Sequence, residues 1–549
     1  MLRIGPRQES FYSFLYERIP ENHLLKKIAA AVDFSFVNEL LEDSYCKNNG
    51  RPAKEPEMML ELLFLEYLYN LSDVKVLEEA ECNLAFLWFL GLNPEEKLPE
   101  ASLLTKFRRY GLKDFSLDEV LTEIIRQCVE NGLIKGSGIT VDSTHIEAAV
   151  KQKVPERIMK QLAKRIFKAM KKDKVTAGQD IDTHIPDYTQ IQDPMEARRL
   201  MKAYLEETMA ACEKRGGTYT RQAVEEAREV LRDEKFLVQK GIRSLADKDA
   251  RVGRKSRENS FYGYKMEYMM TADERLITSV ETKHGAYVDG AEFGTLLDKT
   301  KESGVEIKEV YGDKAYFRPA ILQRIQEEGA EPYIPVSEMA YRVDEELFSY
   351  NKDSDQWFCV MGNETISRKR RDTKRGDEKR SYLVYTFQKK MCEHCPRRSE
   401  CMGKAKTKSR NIQVSIHTAE LYELSQRQKD PMFLEKYKKR AAQEWKNGEM
   451  KRFHGLAQAR GFGLRGVAIQ AKLTAIAVNL KRIASLAAER NGKPGRSSGI
   501  FSGLPTLFLP LFTFSRLRGL LSLPPTDFWD FFSGFEPSLR LQKIAGSSN

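Results

Sequence analysis

Gly138-Ile139-Thr140-Val141-Asp142-Ser143-Thr144 is a short β pattern with a carboxylate near its end, and it marks a change of period in the chain. Before it, to about Gly111, the sequence reads as helices. Met59–Leu60, Leu62–Leu63 and Tyr67–Leu68 keep a helical spacing behind Pro56. A second run covers Val76–Leu90 and breaks at Gly91, Asn93 and Pro94. A third opens near Ser102 and ends in Lys106-Phe107-Arg108-Arg109. Short helices with a basic last turn fit a DNA-reading unit, or equally a bundle with a solvated basic face. After the β pattern comes a long, highly charged helical stretch from about Glu156 to Gly241, with a polar break at Thr183–Asp193. It reads as an insertion, covering about 150–245.

Strand patterns return at Gly263–Thr271 and Leu276–Thr282, separated by Ala272-Asp273-Glu274-Arg275, an antiparallel hairpin. Asp289 and Glu292 have capping-box spacing ahead of Phe293, Leu296 and Leu297. Val305–Tyr311 is the next strand and runs into Gly312-Asp313. Pro319 opens a helix that Gly329 closes, and Ala330–Val336 is a further strand. With the insertion set aside, the order is strand, two hairpin strands, helix, strand, helix, strand. That is the α/β order of a ribonuclease H-like domain, although another α/β topology fits the same elements. The ribonuclease H order puts Asp142 and Asp313 at neighbouring strand ends.

Composition bounds the classes. The chain has 549 residues, too long for one ordinary core, and suggests roughly three to four compact units. With 41% hydrophobic and 31% charged residues it is neither collagen-like nor globally disordered. Lys and Arg number 90 against 79 acids, a net charge of +11, which favours a polyanionic partner. The first twenty residues lack a signal-peptide pattern. The uncharged Ser497–Ser515 segment contains Pro505 and Pro510, which argues against a membrane-spanning helix. The expectation is a cytoplasmic protein, associated with the nucleoid when bound to DNA.

Glu435–Arg452 reads EKYKKRAAQEWKNGEMKR. At about 100° per residue, Tyr437, Arg440, Glu444 and Lys451 project within a stripe roughly 60° wide. A carboxylate bracketed by two cations and an aromatic hydroxyl suits an acid that binds a metal ion while its neighbours hold phosphates. A solvated charged face has the same pattern, and Asn447-Gly448 weakens the helix midway.

The spacing Tyr437-x2-Arg440-x3-Glu444-x6-Lys451 resembles the Y-R-E-K signature of bacterial insertion-sequence transposases of the DDE class. Val141-Asp142-Ser143-Thr144 and Tyr311-Gly312-Asp313-Lys314-Ala315-Tyr316 resemble their two aspartate motifs. Gly50-Arg51-Pro52-Ala53 and the helices after it look like the N-terminal helical domain often joined to such enzymes. The whole is most similar to insertion-sequence family eleven-eighty-two, over roughly Phe11 to Ala488.

The resemblance implies a helical N-terminal domain of DNA-binding type over 1–115 and a ribonuclease H-like catalytic domain over 135–490. It implies that Asp142, Asp313 and Glu444 bind two Mg²⁺ ions, with Mn²⁺ able to substitute. The reaction would be cleavage at the insertion-sequence ends, then transfer of the freed 3′-hydroxyl to target DNA. Arg440, Lys451 and Tyr437 would contact DNA. Partners would be double-stranded DNA, both terminal inverted repeats and target, and a second copy of the chain assembled on it. The competing functions are a catalytically inactive DNA-binding descendant and a ribonuclease H-like nuclease without strand transfer.

Asp313 and Glu444 lie 131 positions apart, so a second insertion, about 340–425, precedes the glutamate helix. It holds Cys392, Cys395 and Cys401 in a C-x2-C-x5-C pattern, with Cys359 upstream in Trp357-Phe358-Cys359-Val360. Four thiolates suit a closed structural Zn²⁺ site, and His394 is an alternative fourth ligand. Reduced thiols in a loop are the plain reading. Between Arg368 and Arg380 stand eight basic residues against three acids, including Arg370 and Arg371, a run suited to DNA backbone or to a solvated loop. The Pro-, Phe- and Leu-rich tail, 491–549, reads as a flexible extension.

Overall fold

The computed structural model describes residues 10–46, 53–174, 183–213, 216–255, 258–338, 341–375, 378–403 and 407–491. The tail beyond 491 and most of Gly50-Arg51-Pro52-Ala53 lie outside the described residues. The centre is a mixed sheet of β1 (Gly138–Glu147), β2 (Arg251–Arg254), β3 (Ser260–Thr271), β4 (Ile277–His284), β5 (Glu309–Tyr311) and β6 (Glu331–Tyr333). Its order is β4-β3-β1-β5-β6, with β2 pairing the first residues of β3. β3 runs antiparallel to β1 and β4, whereas β5 and β6 run parallel to β1. This is a ribonuclease H-like sheet.

Helices Phe293–Glu302 and Pro319–Glu327 make the two crossovers that parallel strands require. β5 and β6 are three residues each, shorter than the patterns Val305–Tyr311 and Ala330–Val336, because β1 pairs with β5 only over Gly138–Thr140. The expected capping box is absent. Glu292 is the N-cap without a side-chain cap bond, and Asp289 instead pairs with Lys265 at 2.9 Å.

The long Leu464–Asn491 helix packs against the sheet and the N-terminal helices, and Leu473, Ile476, Leu480 and Ile483 are fully buried there. Asn479 on it accepts from the Ile277 amide at 2.8 Å and donates to the Ile277 carbonyl at 2.7 Å, capping open backbone groups at the start of β4. The N-terminal helix Pro56–Leu68 is buried nearly all round rather than on one face. The Val76–Leu90 run is two helices, because the Asn83 side chain accepts from the Ala85 and Phe86 amides and starts a second one.

Each insertion has its own core. Helices Pro155–Lys172, Pro194–Glu213 and Thr218–Leu231 enclose Ile158, Leu162, Met201, Leu205 and Val224. The second insertion pairs β7 (Phe348–Asn351) with β8 (Gln356–Cys359), and sets β10 (Glu378–Phe387) between β9 (Thr365–Arg375) and β11 (Asn411–Ser415). Trp357, Tyr385 and Phe387 fill its core. No described helix is long and apolar enough to cross a membrane.

Candidate active site

Parallel pairing of β1 with β5 ends at Thr140 and Tyr311. Asp142 and Asp313 each lie two residues beyond that pair. Asp142 lies inside β1, whereas Asp313 lies beyond the end of β5, and the two are close enough for the Asp313 charge to raise the Asp142 pKa. Past Tyr311 the chain leaves the sheet in a short 3-10 turn, which Asp313 caps by accepting from the Ala315 amide at 2.8 Å.

The Ser143 amide donates to Asp142 Oδ1 at 2.9 Å, and Asn447 Nδ2 donates to Oδ2 at 3.3 Å. Burial pushes the Asp142 carboxyl up to about 6, with Asp313 and Asp289 adding to the rise while the Ser143 amide and Arg440 oppose it. A buried carboxylate held beside another has unmet demand for positive charge.

The helix expected from Glu435 is interrupted. Pro431–Tyr437 is helical, Lys438–Arg440 tightens to 3-10, and Ala441–Phe453 resumes as an α-helix. The stripe drawn from Tyr437 therefore does not continue as one regular face. Asn447-Gly448 does not break the second helix. Asn447 accepts from the Tyr268 hydroxyl at 3.0 Å and donates to Asp142, so tertiary bonds offset its weak helix propensity. Gln443, Asn447 and Lys451, one turn apart, reach Thr140 (2.7 Å), Asp142 (3.3 Å) and His145 Nδ1 (3.1 Å). That i, i+4, i+8 row docks the helix on β1, and its spacing was present in the sequence beside the stripe first drawn.

Glu444 stands elsewhere. Its side chain is 72% exposed and lies 3.7 Å from Arg440. Among the described residues no three His, Cys, Asp or Glu side chains are grouped closely enough to hold a metal ion. The structure thus brings Asp142 and Asp313 together and leaves Glu444 apart from them. Arg440 is largely covered, and its buried Nε has no hydrogen-bond partner among the described residues. Tyr437 stacks on Phe433, and burial raises its hydroxyl pKa, with Asp313 and Asp142 adding to the rise against Arg440.

Lys451 and His145 form a coupled pair. Burial, then Lys451, lowers the imidazole to about 4, so it is neutral at pH 7 and accepts from the ammonium. Burial and Lys255 lower the Lys451 ammonium to about 8.

Beneath the site, Glu267 on β3 is 1% exposed and accepts from the Gly290 amide at 2.6 Å and the Tyr287 hydroxyl at 2.5 Å. Nothing in the linear pattern singled it out. Its role follows from β3 pairing, which places it opposite Ser143.

The four cysteines of the second insertion line one cavity of about 40 Å³, with Arg397, Arg398 and Arg410 around it. Burial raises the Cys401 thiol, and Cys392, Cys395 and Cys359 add to the rise against Arg410. His394 is exposed and does not line the cavity, whereas Cys359 does, and among the described residues the four thiols are likewise not grouped closely enough to hold a metal ion as they stand.

In β9 the basic residues alternate. Arg371 pairs with Tyr382 and Lys369 with Val384, whereas Arg368 and Arg370 project to the face of Tyr385 and Leu383. Arg370 bonds Ser381 at 2.9 Å, and Arg368 pairs with Asp355. Arg370 and Arg371 thus point to opposite faces and cannot act as one patch. Lys369 and Arg371 share a face. Arg108, at the end of the N-terminal basic turn, is committed to Glu66 and Asp73, and Glu66 also binds Arg460 at 2.7 Å.

Residues 13–110 match the family model described as Transposase domain (DUF772), and residues 358–484 match the model described as Transposase DDE domain. Asp142 and Asp313 lie between the two matched segments. No curated protein matches the chain. The solved piggyBac transposase synaptic complex with hairpin DNA is similar at 10% identity, covering 89% of this chain and 78% of that one, with a TM-score of 0.30. That likeness is too remote for its assembly to bear on this protein. The segment matching a transposase domain and the segment matching a transposase DDE domain, which spans the cysteines and the Tyr437–Lys451 helices, thus lie before and after the ribonuclease H-like sheet in the chain, and both matches point to a transposase.

Proposed function

We propose that the protein cleaves the ends of an insertion sequence and joins the freed 3′-hydroxyl to target DNA, as a Y-R-E-K enzyme most like insertion-sequence family eleven-eighty-two. The observation that carries this is the matched position of Asp142 and Asp313 beyond the last β1–β5 pair, facing a helix that bonds Asp142 through Asn447. Hard carboxylate oxygens on β1 and just past β5 fit Mg²⁺ or Mn²⁺, and a cation there would relieve both the desolvation of Asp142 and its repulsion by Asp313. Glu444 completes the set from the facing helix once its side chain turns away from Arg440. Bound there, two divalent ions would lower the pKa of an attacking water or 3′-hydroxyl and offset charge on the leaving oxygen.

The chain's own groups hold the DNA. Arg440 keeps a buried, unpartnered Nε beside the acidic pair, which a scissile phosphate would satisfy. Lys451, oriented by neutral His145, is the second cation at the cut. Tyr437 adds a hydroxyl on the same side. Lys369 and Arg371, with Arg370 on the opposite face, would bind backbone further away. On an exposed strand such charges also block edge-to-edge pairing, so the two roles need separating. A second copy of the chain would bring the other transposon end into the same assembly.

Single-turnover cleavage at saturating protein, run beside binding titrations over a salt series, makes that separation. Arg440→Ala and Lys451→Ala are expected to slow cleavage of bound DNA by roughly 10²-fold with little loss of affinity. The Lys369→Gln/Arg371→Gln pair is expected to reduce the salt slope by about two units and to cleave normally once saturated. Parallel weakening of binding in all variants, with normal cleavage at saturation, would make the Glu444 helix an ordinary cationic face.

The pH dependence follows from Lys451. Its ammonium titrates near pH 8 in the free protein, so the charge that grips phosphate is present below that value and lost above it. Cleavage at subsaturating DNA is expected to fall as pH rises through about 8. Lys451→Arg, whose charge persists, should flatten that limb of the profile. An unchanged limb in the arginine variant would assign the titration to another group.

A further inference from the structure

The first insertion leaves the sheet from the end of β1 beyond Asp142 and returns through β2. Its first helix, Pro155–Lys172, carries seven cations and one acid. The acid, Glu156, is buried and bonded to Arg198 at 2.9 Å, so it does not offset the outer charge. That surplus is more than half of the chain's net +11. The charge of this protein is therefore concentrated and not spread.

Geometry concentrates it further. Ile158, Met159, Leu162, Ala163, Ile166 and Met170 face the insertion core. On the outer side Arg157, Lys160, Lys164, Lys168 and Lys171 fall within an arc of roughly 80°, along about 21 Å of helix. None of the five makes an ion pair with a described residue, whereas Arg165, off the arc, is paired with Glu226. Among the described residues, the Asp187 carboxyl is lowered mainly by hydrogen bonds from Thr189, with Lys160 adding to the fall. The sister helix Thr218–Leu231 behaves differently, since its Arg228 is held by Glu213 and Glu225. A favourable interaction with the helix dipole accounts for cations in the last turn, such as Lys171, but not for those at Arg157, Lys160 and Lys164.

We infer that the Arg157–Lys160–Lys164–Lys168–Lys171 face is a second binding surface for the phosphate backbone of duplex DNA, reading no sequence. The row is straight, makes no ion pair with a described residue and sets its cations about 4.5–6 Å apart along the helix, an extended line of positive charge that can follow a phosphate backbone. This rests on the chain acting on DNA, and the surface is distinct from both the Arg440–Lys451 helix and the β9 strand.

The test uses the full-length protein with Lys160, Lys164 and Lys168 all changed to Gln, which keeps helix propensity at exposed positions. Fluorescent duplexes of an insertion-sequence end and of unrelated sequence are titrated over a salt series. On both, the slope of log affinity against log salt is expected to become shallower by about two to three units. Affinity should fall by about tenfold or more at moderate salt, while cleavage at saturating protein persists. Loss on the end duplex alone would overturn sequence-independent backbone binding. Arg165→Gln, whose charge is already partnered, should leave the slope unmoved. Unchanged slopes in the triple variant would overturn the inference, as would a change in self-association with DNA binding intact, which would assign the face to a protein contact. A wild-type protein that never cleaves, paired with the expected slope change, would count against the strand-cleavage reading and leave this surface standing.

Discussion

Alanine at Asp142 or Asp313 is expected to abolish strand cleavage, by roughly 10³-fold or more, and to leave DNA binding largely in place. The two carboxylates come from neighbouring strands, Asp142 within β1 and Asp313 just past the end of β5. Asp142 is partly buried, its pKa raised to about 6 by desolvation and by nearby Asp313, a position that folding alone would not favour. Its replacement should relieve that cost, so Asp142→Asn is expected to fold at least as stably as the parent while failing to nick. Stability retained with activity lost separates a catalytic from a structural role. Glu444→Ala should match the aspartate variants in a Mg²⁺-dependent nicking assay of a labelled transposon end. Full activity in that variant would show that the exposed position of Glu444 beside Arg440 is its working one, and would remove it from the site.

The second large effect concerns the cysteine cavity. We expect about one Zn²⁺ per purified chain, held by Cys359, Cys392, Cys395 and Cys401. The cavity belongs to a module of short helices and paired strands whose core includes Phe348, Trp357 and Phe387. Cys359 ends β8, Cys392 lies in the Lys389–Glu393 helix, and Cys401 lies in the Arg398–Met402 helix. Two five-residue helices are too short to persist by themselves, so a shared ligand would stabilise their fold directly. Chelation, or Cys392→Ser, should therefore make the 340–425 region sensitive to limited proteolysis while the ribonuclease H-like sheet resists. A metal-poor protein with unchanged proteolytic resistance would assign the four thiols to ordinary packing.

Local order was legible where local physics decides it. Pro56 and Pro319 open helices, and the 263–282 hairpin follows from alternation around a polar turn, whereas the caps by Asn83 and Asp313 emerged only in the structure. Strand lengths were not legible, because β5 and β6 extend only as far as their neighbours offer partners. The Asp289 capping box failed for a related reason. Lys265, across the fold, holds that carboxylate more strongly than an exposed amide would.

The sequence by itself determined the ribonuclease H order, the placing of the two aspartates on neighbouring strands and the cysteine spacing, although β1 continues past Asp142 to Glu147 where the pattern ended it. Those depend on short-range spacing, which residue type and period carry. Tertiary structure alone decided which face of the Ala441–Phe453 helix meets β1. A 3-10 turn at Lys438–Arg440 offsets the helical phase by an amount that no wheel drawn from Tyr437 contains. Gln443, Asn447 and Lys451 bond the strand, whereas Glu444 is 72% exposed although it shares one regular helix with Lys451 at nearly the same angle. It also decided that Arg370 and Arg371 are separated, since adjacent residues of one strand must point to opposite sides.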